Sequence, residues 1–272
     1  MKSIFKSHKE FQNKVVWITG ASSGIGKGLV KSFNELGAKV ILSSRKKTAL
    51  EQVITDFNLD PTRNKVLPVD LEKLNTLDDI TDQALMLFGT IDIMVHNGGI
   101  SQRSLVLETK FDVDQKLMNI NYLSYVAITK RLLPHMIEKK EGQFIIISSL
   151  TGKFGTPLRS GYAASKHALH GFFDSMRAEL ANDNIKVLMA CPGFIKTNVS
   201  VNAFKGDGSS QGTMDQAQAN GMNVELFSEK LILAMIKNKH EVYIGGKEKI
   251  GVYLKRYVPG IFNKIIQSAK VT

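Results

Sequence analysis

Cysteine is almost missing from this 272-residue chain: Cys191 stands alone, so no intrachain disulfide can form. A reducing compartment fits, and a chain this long buries enough apolar surface to need no such staple. No stretch of about 18 apolar residues exists to span a bilayer. Met1 to Lys14 is charged and lacks the apolar core of a secretory signal. These absences predict a cytoplasmic protein. There is no run of five basic residues, no nucleic-acid motif and no internal repeat, yet 36 Lys and Arg against 25 Asp and Glu give a net charge of +11. That balance is assigned to a phosphate-rich small ligand rather than to nucleic acid.

Short apolar, β-branched runs recur at Val15–Thr19, Val40–Ser43, Lys65–Val69, Ile91–His96, Phe144–Ser148, Ile185–Ala190 and Val242–Ile244. Near-continuous apolar runs suit a parallel sheet buried on both faces. Between them the spacing predicts helices over Gly26–Leu36, Lys47–Phe57, Leu77–Phe88, Val113–Lys139, Ser165–Leu180 and Glu229–Lys237. The alternation predicts one α/β domain over residues 1–272, a Rossmann-like doubly wound sheet of seven parallel strands flanked by helices. Residues 198–223, rich in Gly, Ser, Asn and Gln, interrupt the pattern and are expected to form a substrate lid.

The first strand runs into Thr19-Gly20-Ala21-Ser22-Ser23-Gly24-Ile25-Gly26 and then a helix. Glycines let a backbone turn tightly against a pyrophosphate, and a helix start offers free N–H groups to it. The strand–loop–helix context makes Gly20, Ser22, Ser23, Gly24, Ile25 and Gly26 candidate dinucleotide ligands. Arg45 lies 19 positions after Gly26 with no acid nearby. An acid there would take the ribose hydroxyl of NAD, whereas an arginine accommodates the 2′-phosphate of NADP. Arg45, with Ser44 adding a hydroxyl, therefore predicts NADP(H) over NAD.

Ser148-Ser149 closes the fifth strand, and Tyr162-Ala163-Ala164-Ser165-Lys166 follows, with Tyr162 thirteen residues after Ser149. Tyr and Lys at i and i+4 share a helix face. A nearby ammonium is expected to lower the phenol's pKa and prepare it to exchange a proton. With this set the chain resembles the short-chain dehydrogenase/reductase family from about Val15 to Gly246. Within it, Arg159 to Ala168 and Asn198 to Ala203 are similar to the member 7B-like reductases. The resemblance implies a catalytic tetrad: Ser149, Tyr162 as general acid/base, Lys166 as its partner, and Asn121 positioning a water. Asp70 with Leu71 would contact the adenine. Asn97, Gly98 and Gly99 stand where the family has Asn-Ala-Gly, so Gly98 is a departure. Pro192 and Gly193 precede Ile195 and Thr197, which would meet the nicotinamide carboxamide. Ser23 stands where some NADP-preferring members carry a basic residue. The implied activity is hydride transfer between NADP(H) and a carbonyl or secondary alcohol. The alternatives are an NAD-dependent alcohol dehydrogenase, a dehydratase, epimerase or enoyl reductase of the same fold, and a non-catalytic cofactor-binding regulator. A homodimer or homotetramer is implied as well.

Other features are assigned more modestly. His167 and His170 lack the companions of a metal site, so no metal is expected. Cys191 reads as a small buried side chain without a histidine or basic partner. Phe154 and Phe194 are expected in the pocket and hint at a hydrophobic substrate. Met214 and Met222 suit either an adaptable pocket or plain packing. Residues 251–272 form an amphipathic extension split by Pro259-Gly260. It suits a membrane surface, a cover over the pocket, or an oligomer contact.

Overall fold

The computed structural model describes residues 9–269. The expectations for Met1 to His8 and for Lys270 to Thr272 concern residues outside that range. Seven parallel strands form one sheet in the order β3-β2-β1-β4-β5-β6-β7. They are β1 (Val15–Thr19), β2 (Lys39–Ser43), β3 (Asn64–Val66), β4 (Ile93–His96), β5 (Gly142–Ile147), β6 (Ile185–Pro192) and β7 (Glu241–Ile244). The expected Rossmann-like doubly wound architecture is present. The strand order reverses beside β1, which opens a crevice at the carboxyl ends of β1 and β4.

Side chains alternate across a strand, and β1 shows why both faces are covered. Val16 and Ile18 join a core with Leu29 and Phe33 of α1 (Gly24–Glu35) and with Phe227 and Leu231 of α8 (Val224–Ile236). Val15 and Trp17 join the opposite core with Tyr125, Ile128 and Leu132 of α5 (Ser124–Lys139) and Leu169 and Phe173 of α6 (Ser160–Glu179). The helices α2 (Lys47–Asp56) and α3 (Leu77–Phe88) complete the two layers. The buried indole N–H of Trp17 donates to Ser43 Oγ, which donates onward to the Leu67 carbonyl, so no polar atom of that chain is stranded.

Several boundaries differ from the sequence expectation. β3 ends at Val66 rather than Val69, although Leu67 N and Val69 N still bond Leu42 O and Ser44 O. Pro68 between them has no N–H for the ladder. The helix expected over Val113–Lys139 is α4 (Phe111–Met118) joined to α5 through a π-helical segment, Asn119–Leu123. Such insertions concentrate at functional sites, and Asn121 lies inside this one. α6 starts at Ser160 instead of Ser165, because Gln102 Oε1 accepts the Tyr162 N–H from outside the helix. α8 starts at Val224 rather than Glu229, capped by Asn223 Oδ1 accepting from Leu226 N.

Residues 198–223 are packed. Ser200 and Ala203 are buried, Phe204 bridges Gln102, and a short helix α7 (Gln216–Ala219) leads to Met222, which bridges Ile195 and packs on the core. Met214 is exposed and accepts from Ser200 Oγ. The C-terminal segment is two helices, α9 (Ile250–Tyr257) and α10 (Pro259–Gln267), parted where Pro259-Gly260 predicts. Val252 and Phe262 face inward, while Ile250, Tyr253, Tyr257, Ile261 and Ile265 are exposed. Among the described residues no helix is long and apolar enough to cross a membrane.

Candidate active site

A cleft of about 450 Å³ opens at the carboxyl ends of the strands. It gathers Gly20, Ser22, Ser23, Gly24, Ile25, Ser44, Arg45, Asp70, Leu71, Asn97, Gly98, Gly99, Ser149, Tyr162, Lys166, Pro192, Gly193, Ile195 and Thr197 in one wall system. Gly26 and Asn121 from the sequence set stand behind that wall.

The glycine loop is tight for reasons visible at two positions. Gly20 has φ +67°, the left-handed region. A Cβ on Gly26 would lie 2.2 Å from the Gly20 carbonyl oxygen, so only glycine lets α1 begin there. Ser23 precedes that start without spending its side chain as a cap. Asn97 ties the loop to β4, donating through Nδ2 to Thr19 O at 2.9 Å, while Thr19 Oγ1 accepts from the N–H groups of Asn97 and Gly98. At Gly98 a Cβ would approach Leu71 Cδ1 to 2.7 Å, a contact that a shift of the leucine end could relieve. Asp70 caps its own turn, accepting from Glu72 N. Ser44 Oγ is buried and has no hydrogen-bond partner among the described residues, beside exposed Arg45. An orphaned hydroxyl next to a free guanidinium fits a ligand that brings oxygen atoms. The glycine cradle, the helix start and this pair together fit a phosphorylated dinucleotide.

At the other end Ser149, Tyr162 and Lys166 converge. The Ser149 hydroxyl bonds the Tyr162 phenol and accepts from Thr151 N and Thr151 Oγ1. Lys166 Nζ donates to the Ile147 carbonyl at 2.9 Å and lies 5.8 Å from the Tyr162 ring centroid. Asn121 is buried behind Gly99. Its Oδ1 accepts from Ile100 N, and its Nδ2 donates to Ile100 O and Ser165 Oγ.

The electrostatics correct the sequence expectation. Burial pushes the Tyr162 phenol up, opposed by the Ser149 hydrogen bond and by the charges of Arg159 and Arg103. Burial also pushes the Lys166 ammonium down to about 7. Desolvation therefore dominates at the phenol, and the cations that pull against it are Arg159 and Arg103. Neither arginine was given a role from the sequence, although Arg159 opens the stretch that carries the finer resemblance. Arg103 is buried and grips Asp215 through Nε at 2.9 Å and Nη2 at 2.5 Å. Arg159 lies at 3.7 Å from the same carboxylate.

Three further expectations change. Phe154 is not in the cleft: it packs with Leu150, Cys191 and Val252 and meets Phe262 edge-on at 5.2 Å. Phe194 is also absent from the cleft wall and stands 5.9 Å from the Arg159 guanidinium. Phe204, from the 198–223 segment, lines the cleft together with Tyr162. Cys191 is buried, but it does have a histidine neighbour, His170 Nε2 at 3.7 Å. Burial drives that thiol up and His170 down to about 4, so both stay neutral and unreactive. His170 also bonds Ser148 Oγ, and no metal-holding cluster occurs among the described residues.

Comparisons with known proteins agree with this geometry. The family model described as short chain dehydrogenase matches residues 14–208. The chain is 40% identical over 262 residues to the Drosophila melanogaster dehydrogenase/reductase SDR family protein 7-like, covering 94% of this chain and 80% of that one. It is 39% identical over 268 residues to the mouse dehydrogenase/reductase SDR family member 7B, covering 97% and 83%. A short chain dehydrogenase/reductase from Burkholderia phymatum, solved in complex with NAD, superposes with a TM-score of 0.83 at 18% identity, over 97% of this chain and 99% of that one. The chain belongs to the short-chain dehydrogenase/reductase family and is an oxidoreductase of the kind that binds NAD(P).

Proposed function

We propose that the chain transfers hydride between NADP(H) and a carbonyl or secondary-alcohol carbon of a hydrophobic substrate, with Tyr162 as general acid/base. The observation that carries this reading is the meeting of Ser149, Tyr162 and Lys166 at one end of a cleft whose other end is the glycine cradle. The cofactor supplies the hydride when bound. The chain's own residues do the rest. Arg45 and Ser44 take the 2′-phosphate, and the α1 start faces the pyrophosphate. Asp70 and Leu71 border the adenine, and Pro192, Gly193, Ile195 and Thr197 border the nicotinamide. Ser149 holds the substrate oxygen by hydrogen bonding. Tyr162, whose burial keeps its proton in place, donates that proton in the reducing direction. Lys166 holds the ribose hydroxyls, and Asn121 in its π-helical turn positions the water that refills the proton.

NADPH oxidation against a panel of aldehydes, ketones and quinones tests the reading. Tyr162→Phe is expected to lose turnover by about a thousandfold or more, with NADPH affinity held within about twofold. Turnover retained in that variant would sink the role. NAD is the competing cofactor, since Ser23 supplies no cation to the loop and the Burkholderia phymatum protein was solved with NAD.

Residues 198–223 act as the lid in this reading, and the active protein is a cytoplasmic homodimer or homotetramer. The extension from Gly251 onward serves one of three roles: contact with a membrane surface, a cover over the pocket, or an oligomer contact. Exposed Tyr257, Ile261 and Ile265 stand beside Lys255, Arg256 and Lys264, which suits an anionic lipid face. Removing residues from Gly251 onward is expected to abolish co-sedimentation with phosphatidylserine vesicles, and unchanged partition overturns the contact.

A further inference from the structure

Lys166 Nζ is a buried cation with little to hold it. The Ile147 carbonyl is its hydrogen-bond acceptor, and no carboxylate pairs with it among the described residues. Two aromatic rings stand near it, Tyr162 at 5.8 Å and Tyr125 at 5.6 Å from the centroid. Tyr162 has its own part in the chemistry. Tyr125 does not, and its connections are of another kind.

Tyr125 is fully buried on α5, four residues after Asn121. Its hydroxyl donates to the Gly98 carbonyl at 3.0 Å, inside the loop that lines the cofactor cleft. Its ring stacks on His96 at 4.6 Å with the planes 18° apart. His96 is itself fixed, its Nε2 lying 2.9 Å from Thr129 Oγ1 one helical turn after Tyr125. The ring therefore cannot turn without breaking three contacts. A Cβ on Gly99 would lie 3.7 Å from Lys166 Nζ and 2.9 Å from Asn121 Oδ1, so the loop fixed by Tyr125 runs beside the lysine head, about one carbon short of contact.

We propose that Tyr125 is a positioning residue for Lys166: its ring face holds the buried ammonium, while its hydroxyl fixes the Gly98–Gly99 loop against it. The ring quadrupole attracts a cation over its face, most strongly where water is excluded. The charges around the lysine leave that task to the ring. Burial pushes the Tyr125 phenol far above its usual range, so the hydroxyl keeps its proton and donates. His96, driven down to about 3 by burial, is not a competing cation. The Tyr162 phenol on α6 is pushed up, the Cys191 thiol at the end of β6 is pushed up, and His170 one turn along α6 is pushed down to about 4, so all three are neutral near pH 7. The guanidinium groups of Arg103 and Arg159 act on Tyr162.

The inference rests on Lys166 being the partner of Tyr162 in proton transfer, but its test needs neither substrate nor cofactor. The full chain is labelled with carbon-13 at the lysine side chains, and the Cε resonance of Lys166, assigned with Lys166→Arg, is followed against pH. Tyr125→Phe keeps the ring and is expected to titrate within about 0.3 pH units of the parent. Tyr125→Leu removes the ring and is expected to titrate about one pH unit lower, a tenfold loss in protonation. Should the leucine variant fail to fold, phenylalanine, 4-fluorophenylalanine and 3,4,5-trifluorophenylalanine at position 125 weaken the ring face at nearly constant volume. Their midpoints are expected to fall stepwise with fluorine number. Equal midpoints across that series, or a folded leucine variant titrating with the phenylalanine one, overturn the proposal. An enzyme inert toward every carbonyl tried would overturn the catalytic reading, whereas the lysine midpoints alone decide the ring contact, so the two failures are told apart.

Discussion

At the phosphate end of the cleft the wall is a short stretch of glycine-rich main chain, Gly20 to Ile25. At the substrate end the walls are held by side chains far apart in sequence: Arg103 grips Asp215, and Gln102 caps the helix that carries Tyr162. The proposed phosphate end is main chain, and it needs glycine where φ is left-handed, at Gly20 and Gly24, and where a Cβ would strike backbone, at Gly26. The proposed substrate end is walled in part by a segment, residues 198–223, that has little regular structure and is fixed by a few strong contacts. One end is rigid by local geometry. The other is rigid only while its long-range partners hold.

The difference is tested most severely by Asp215→Ala. Asp215 is 1% exposed in its side chain, and its carboxylate bonds Arg103, lies near Arg159 and accepts from Gln211 Nε2 at 2.8 Å. Removing one partner of a buried ion pair costs about 3–5 kcal/mol, because the remaining charge stays desolvated. Amide hydrogen exchange over residues 198–223 is expected to speed by about a hundredfold or more, while exchange in β1 and α1 and the affinity for NADPH stay near parent values. Slow exchange in the segment after the substitution would mean that the ion pair does not hold it. Equal loosening of the glycine loop would mean that the two ends are not independent.

The same contrast explains what could be read from the sequence. The strands were legible because each is a short apolar run, and β1 spans the residues expected for it. The glycine loop, Ser149, Tyr162 and Lys166 were legible because their spacing is local and fixed by strand–loop–helix geometry. The start of α6 was not, since its capping acceptor, Gln102 Oε1, sits 60 residues away. Arg103 and Asp215 were invisible for the same reason, being 112 residues apart. Phe154 was misplaced because nothing local says that α9 and α10 return to bury it against Phe262. The pKa expectation for Tyr162 failed on a different ground: spacing shows a nearby cation but not the desolvation of both groups. The start of α8 was legible in principle, because Asn223 is a good capping residue, hidden only by the polar segment it closes.

A smaller effect is expected where the phosphate end departs from its own rule. Arg45 is the place at that end where a side-chain cation, not backbone, is assigned to the cofactor's phosphate, and it is exposed. A charge in water is screened, so its worth is limited, although a bidentate guanidinium–phosphate pair exceeds an ordinary surface ion pair. Arg45→Ala is therefore expected to weaken NADPH binding by about tenfold, roughly 1.4 kcal/mol, and to leave NADH binding within about twofold. Fluorescence titration of both cofactors at low and high salt reads the two affinities directly. The preference for NADPH should shrink in the parent as salt rises and should lose most of its salt dependence in the variant. If both cofactors weaken equally, Arg45 supports the loop rather than reading the phosphate. The phosphate end would then be built of backbone and Ser44 alone, and the cofactor assignment would fall with it.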